Sequence, residues 1–132
     1  MRILLFGTFD HLHPGHRFVL NAAMERSDDV WVVVGLDANV AKIKGHAPDQ
    51  SEDVRKRAIE VAYPSAHVLF GHPSDFLARL REIQPDLILF GYDQQLPPGI
   101  SEENIGVPIE RLEPFHPEKY KSSLRRNEKN IY

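Results

Sequence analysis

Short apolar runs recur along the chain, and most of the stretches between them repeat their apolar residues at helical spacing. Ile3 to Phe6 is a continuous apolar run, as expected of a parallel strand covered on both faces. Arg17 to Arg26 follows, with Phe18, Val19, Ala22 and Ala23 on one side, a spacing that predicts a helix. Val30 to Val34 is β-branched and aromatic and reads as a second strand. Residues 37–51 read as a loop with room for one helical turn. Ser51, Glu52 and Asp53 signal a helix start, with acidic side chains at its positive end, and Pro64 stops the helix that continues from Arg55 to Ala62. His67 to Phe70 is a third strand. Ser74 or Asp75 caps a helix through Phe76, Leu77, Leu80 and Ile83, and Pro85 ends it. Leu87 to Phe90 is a fourth strand and Val107 to Leu112 a short fifth. Between them, residues 94–106 are rich in proline, glycine and acids and predict a mobile surface loop. Pro114 and Pro117 lead to a last helix near Ser122 to Asn130.

Strands alternating with helices predict an α/β fold: a parallel sheet of about five strands with helices on both faces. In such sheets ligands sit beyond the carboxyl ends of the strands. Three chemically rich segments, Gly7 to His16, Asp37 to Gly45 and Gly91 to Gln94, each follow a strand and so fall on that edge. At 132 residues, 42% of them apolar, the chain fits one domain spanning residues 1–132. The absence of cysteine excludes disulfides and thiolate metal sites and suits a reducing compartment. No apolar run approaches a membrane span, and the N-terminus lacks a signal-peptide pattern; the expected location is cytoplasmic. A net charge of −3 excludes the strongly basic footprint of a general nucleic-acid binder. The C-terminal stretch is locally basic, with Lys119, Lys121, Arg125, Arg126 and Lys129 against Glu118 and Glu128. It suits either a polyphosphate site or a solvated helix end.

Residues 7–16 read Gly-Thr-Phe-Asp-His-Leu-His-Pro-Gly-His. The first strand thus runs into a turn carrying a hydroxyl, a carboxylate and imidazoles, and Pro14 suits the entry of the helix behind it. The positive end of that helix receives anions, phosphate above all. The pattern Gly-Thr-Phe-Asp-x-x-His-x-Gly-His resembles the signature of the cytidylyltransferase-like nucleotidyltransferases. The likeness extends along the chain. Lys42-Ile43-Lys44-Gly45 and the downstream Arg55 resemble the family's lysine loop and arginine. Gly91-Tyr92-Asp93-Gln94 resembles its Gly-x-Asp element, in the version of the archaeal flavin-adenylating branch. Tyr120 to Arg126 resembles the closing Ser/Thr-rich motif, although Arg125 stands where the family more often has an apolar residue.

The resemblance implies a Rossmann-like domain that moves a nucleoside monophosphate from ATP or CTP onto a phosphorylated small acceptor and releases pyrophosphate. Acceptors in the family include flavin mononucleotide (FMN) and polyol or alcohol phosphates such as glycerol 3-phosphate. An acceptor phosphate is already ionised near neutral pH, so the chemistry asks for positioning and fixed positive charge rather than a base. The implied catalytic residues are His13, His16 and Lys44. Gly7, Thr8, Phe9, Gly15, Asp93, Ser122, Ser123 and either Arg125 or Arg126 fall on the nucleotide side. Asp10, Asp37, Lys42 and Arg55 fall on the acceptor side. No direct metal ligand is assigned, and Mg²⁺ or another divalent cation is expected to arrive with the phosphates. The family resemblance also implies a homodimer. Competing readings are a phosphopantetheine- or nicotinamide mononucleotide-type adenylyltransferase and a non-catalytic nucleotide-sensing module.

Overall fold

The structure is a computed structural model that describes residues 1–113 apart from 93, 95, 97 and 98. Asp93, Ser122, Ser123, Arg125, Arg126 and the helix expected near 122–130 lie outside the described residues. Five parallel strands form one sheet: β1 (Arg2–Gly7), β2 (Asp29–Val34), β3 (His67–Phe70), β4 (Leu87–Phe90) and β5 (Ile109–Arg111), in the order β3-β2-β1-β4-β5. The helices are α1 (Pro14–Arg26), α2 (Asp37–Lys44), α3 (Glu52–Ala62), α4 (Phe76–Ile83) and α5 (Glu102–Ile105). A short 3-10 turn, Asp10–Leu12, joins β1 to α1.

The pleat explains why the central runs 3–6, 30–34 and 87–90 are apolar without a break. Ile3, Leu5, Val30, Val32, Val34 and Leu89 face one side, where they pack with Val19, Leu20 and Ala23 of α1 and Ile59 of α3. Leu4, Val33, Ile88 and Phe90 face the other, against Leu80 and Ile83 of α4 and Ile105 of α5. Helices therefore cover both faces, as expected. Each fully buried Leu or Ile in these layers contributes roughly 1.5–3 kcal/mol.

Two expectations need correction. Residues 37–51 contain an eight-residue helix, α2, rather than a loop with one turn. Asp37 lies in its first turn and Lys42 and Lys44 in its last, matching the helix dipole at both ends. Gly45 closes it at φ 84°, the left-handed conformation that glycine adopts at no steric cost. Residues 94–106, expected as a mobile loop, include α5. Ser101 and Asn104 cap each other's backbone there, and Ile105 is buried in the second apolar layer.

The strand order reverses at β1. From β1 the chain proceeds outward through β2 and β3, then crosses back to place β4 on the opposite side. The carboxyl ends of β1 and β4 consequently flank a crevice, the place where open α/β sheets take ligands. Helix α1 starts directly behind β1, so its N-terminus lies at that crevice.

Candidate active site

The turn from β1 to α1 departs sharply from regular backbone. Phe9, His11 and Leu12 have φ of 56°, 62° and 34°, torsions that cost energy in any residue with a Cβ. Burial holds two of them in place, Phe9 at 4% and Leu12 at 7% exposure, while the exposed His11 donates its backbone N–H to Gln50 at 2.9 Å. The Phe9 ring folds back over Gly7, where an added Cβ would lie 2.8 Å from it. Gly7 is required here by that close approach.

His13 is the N-cap of α1, and its backbone N–H donates to Nδ1 of His16 at 3.3 Å. The two imidazoles stack with centroids 3.6 Å apart, and the Phe9 ring meets His16 edge-on. Accepting that amide leaves the proton of neutral His16 on Nε2. His16 is buried, and its pKa is pushed down to about 3, first by burial and then by the charges of His13 and Lys44, with Asp10 opposing. At neutral pH it is therefore an uncharged N–H donor. Lys44 and Lys42 are exposed in the last turn of α2.

Arg55 is 0% exposed. Its Nε donates to the Gln50 carbonyl at 3.1 Å and one terminal nitrogen to the Thr8 carbonyl at 2.8 Å. The other terminal nitrogen meets Asp37 at 2.6 Å. Asp10 accepts the amides of Asp49 at 2.8 Å and Gln50 at 3.0 Å. Burial raises the Asp10 pKa, but these amides, with the charges of His11 and Arg55, carry it below the ordinary value. Of the side chains expected on the acceptor side, Asp10, Arg55 and its partner Asp37 thus gather at the turn, whereas Lys42 stands exposed in the last turn of α2. Asp37 keeps a half-exposed carboxylate. Gly15 is buried in the first turn of α1.

Gln94 closes the Gly91–Gln94 motif, and its side chain ties two strands together. Its Nε2 donates to the Phe6 carbonyl at 2.6 Å and its Oε1 accepts the Gly91 amide at 3.1 Å. The carboxamide bridges the carboxyl ends of β1 and β4. Only the motif's place after an apolar strand hinted at this.

Among the described residues, Asp10, His11 and Asp49 bring potential metal-ligand atoms within 4.8 Å of one another. Asp10 is already committed to two amides, and His11 Nε2 lies 3.1 Å from Asp49. Magnesium favours oxygen ligands in near-octahedral array, and this hydrogen-bonded trio does not fit it.

An all-parallel sheet with stacked imidazoles at the helix N-terminus of its switch point defines a Rossmann-like nucleotide-handling protein. Residues 4–122 match the family described as cytidylyltransferase-like, and the chain belongs to that family. It is 34% identical over 120 residues to the FAD synthase of Aciduliprofundum boonei, covering 87% of this chain and 80% of that protein. It is also 34% identical over 128 residues to the FAD synthase of Methanolacinia petrolearia, covering 92% and 84% of the two chains. The lipopolysaccharide core biosynthesis protein of Thermoplasma volcanium superposes with a TM-score of 0.77 at 29% identity, covering 88% of this chain and 98% of that one. The chain is a nucleotidyltransferase. Among the described residues no helix is long and apolar enough to cross a membrane.

Proposed function

We propose that this enzyme transfers the adenylyl group of ATP to FMN, forming FAD and pyrophosphate. The likeness to FAD synthases over most of the chain carries the reading. A phosphate oxygen of FMN attacks the α-phosphorus, and the new P–O bond forms as the bond to the β-phosphate bridging oxygen breaks. The electron pair leaves with pyrophosphate. Negative charge gathers on the α-phosphate oxygens and the leaving group, so fixed donors and cations lower the barrier.

In this reading His16 offers Nε2–H to the α-phosphate oxygens, and His13 meets the triphosphate beside it. Lys44 adds positive charge from α2. The Thr8 hydroxyl, the Phe9 amide and the Gly7 and Gly15 backbone line the nucleotide side, with Asp93, Ser122, Ser123 and Arg125 or Arg126 completing it. Asp10, Asp37, Lys42 and Arg55 stand on the acceptor side. Magnesium would be carried by the triphosphate's own oxygens. The cytoplasmic homodimer of a single domain belongs to the same proposal, and light scattering checks the dimer. A second reading, with a non-flavin phosphorylated acceptor, takes its support from the Thermoplasma volcanium neighbour, whose name is that of a lipopolysaccharide core biosynthesis protein.

Pyrophosphate release with ATP or CTP against FMN and glycerol 3-phosphate separates these readings. FAD formation from ATP is the expected result. His16→Ala should lose about a hundredfold or more in turnover while staying folded. Near-normal turnover in that variant would refute the site.

A further inference from the structure

Among the described residues, Arg55 heads the fully buried side chains by size. An enclosed guanidinium is costly unless partners satisfy it, and its three partners are not scattered. Asp37 opens α2, and Gln50 ends the segment that returns from it. Both feet of the excursion 37–50 therefore rest on one side chain. Its outer end carries the exposed Lys42 and Lys44. The third partner is the carbonyl of Thr8, inside the turn that precedes His13. Asp10 fastens the returning limb a second time through the amides of Asp49 and Gln50.

We propose that Arg55 is a positioning residue, whose buried guanidinium pins both feet of the lysine-bearing arm to the Thr8 turn and so sets where Lys44 stands relative to His16. The inference rests on the transfer reaction proposed above, and it reassigns Arg55 and its partner Asp37 from acceptor contact to placement of the arm. Nε and both terminal nitrogens are engaged with protein, and the side chain has no exposed surface. Three acceptors in different directions call for a planar fork, which lysine cannot supply. The charge of Lys44 already reaches His16, where it helps keep the imidazole neutral.

The test is a double-mutant cycle with Asp37→Asn and Lys44→Ala, scored by steady-state pyrophosphate release. If Arg55 and Asp37 act through the arm, Asp37→Asn lowers kcat about tenfold in the native background and under about threefold once Lys44 is gone. The acceptor KM stays within about twofold, as expected when ground-state binding is untouched. Equal losses in the two backgrounds, or a change mainly in acceptor KM, would overturn the proposal. Arg55→Lys keeps the charge and loses the fork, so it should match Asp37→Asn; wild-type kcat in that variant would also overturn it. Hydrogen exchange at amides 41–45 requires neither turnover nor ligand. It should quicken about tenfold in Arg55→Lys as the arm loosens, and unchanged exchange counts against the pinning. A wild-type protein that releases no pyrophosphate sinks the transfer reading, while the exchange result still decides the role of Arg55.

Discussion

At the scale of single residues, the β1–α1 turn depends on a missing atom. Gly7 leaves room for the Phe9 ring, and that ring helps hold a left-handed backbone at the entrance to the paired imidazoles. Gly7→Ala would place a Cβ under 3 Å from the ring, so the buried ring must shift. The expected cost is about 1–3 kcal/mol, read as a lowered urea midpoint with unchanged slope. An unaltered midpoint would show that the ring is not held as described. The same turn shows what the sequence reveals of a site. The spacing of His13 and His16 marks the imidazole pair directly, because adjacent turns of a helix start bring i and i+3 together. The sequence does not show that Arg55 is enclosed. An arginine four residues beyond a helix cap reads as an acceptor contact or a surface group, and only long-range folding puts Thr8, Asp37 and Gln50 around it.

At the scale of elements, α2 is short and supplies the exposed lysines of the candidate site. A helix of this length holds marginally in isolation, so its ends matter. Gly45 closes it at φ 84° with nothing within 4 Å of a would-be Cβ. Backbone strain is then the main effect of Gly45→Ala, at about 1 kcal/mol. Gly45→Asn should cost less, since asparagine tolerates this conformation. Comparing the two variants by thermal melting and by KM for the triphosphate separates strain from bulk. Equal effects in both would argue that the side chain, not the torsion, is at fault. The boundaries of β3 and β4 were legible to the residue because prolines and polar residues bracket short apolar runs. Helix α2 was not, because its period is short and its apolar face small: Val40 is its one buried residue. Helix α5 hid in a proline- and glycine-rich stretch, where one capping pair and one buried isoleucine suffice to form a turn.

At the scale of the whole molecule, alternation of strands and helices predicted a parallel sheet, but not which strand lies beside which. The order β3-β2-β1-β4-β5 comes from pairings between segments as far apart as Ile3 and Leu87. That order puts the start of α1 at the switch point, where His16 is buried against Phe9 and His13. Burial in turn links the site to global stability. The His16 imidazole takes up a proton near pH 3 in the folded chain against 6.5 in the unfolded one. Between those values the unfolded chain binds a proton that the native chain refuses, so stability rises with pH across this window and declines on acidification. At pH 4 the loss relative to neutral pH should reach roughly 3 kcal/mol. The lowered pKa of Asp10 acts in the same direction at still lower pH, because its stabilisation is lost as pH falls through the folded value. His16→Asn retains an acceptor for the His13 amide and cannot be protonated. Urea midpoints measured between pH 7 and pH 4 should therefore fall steeply for the native protein and much less for the variant. Parallel curves for the two would mean that the imidazole is not buried in its neutral form, and the account of His16 as an uncharged donor to phosphate would fail with it.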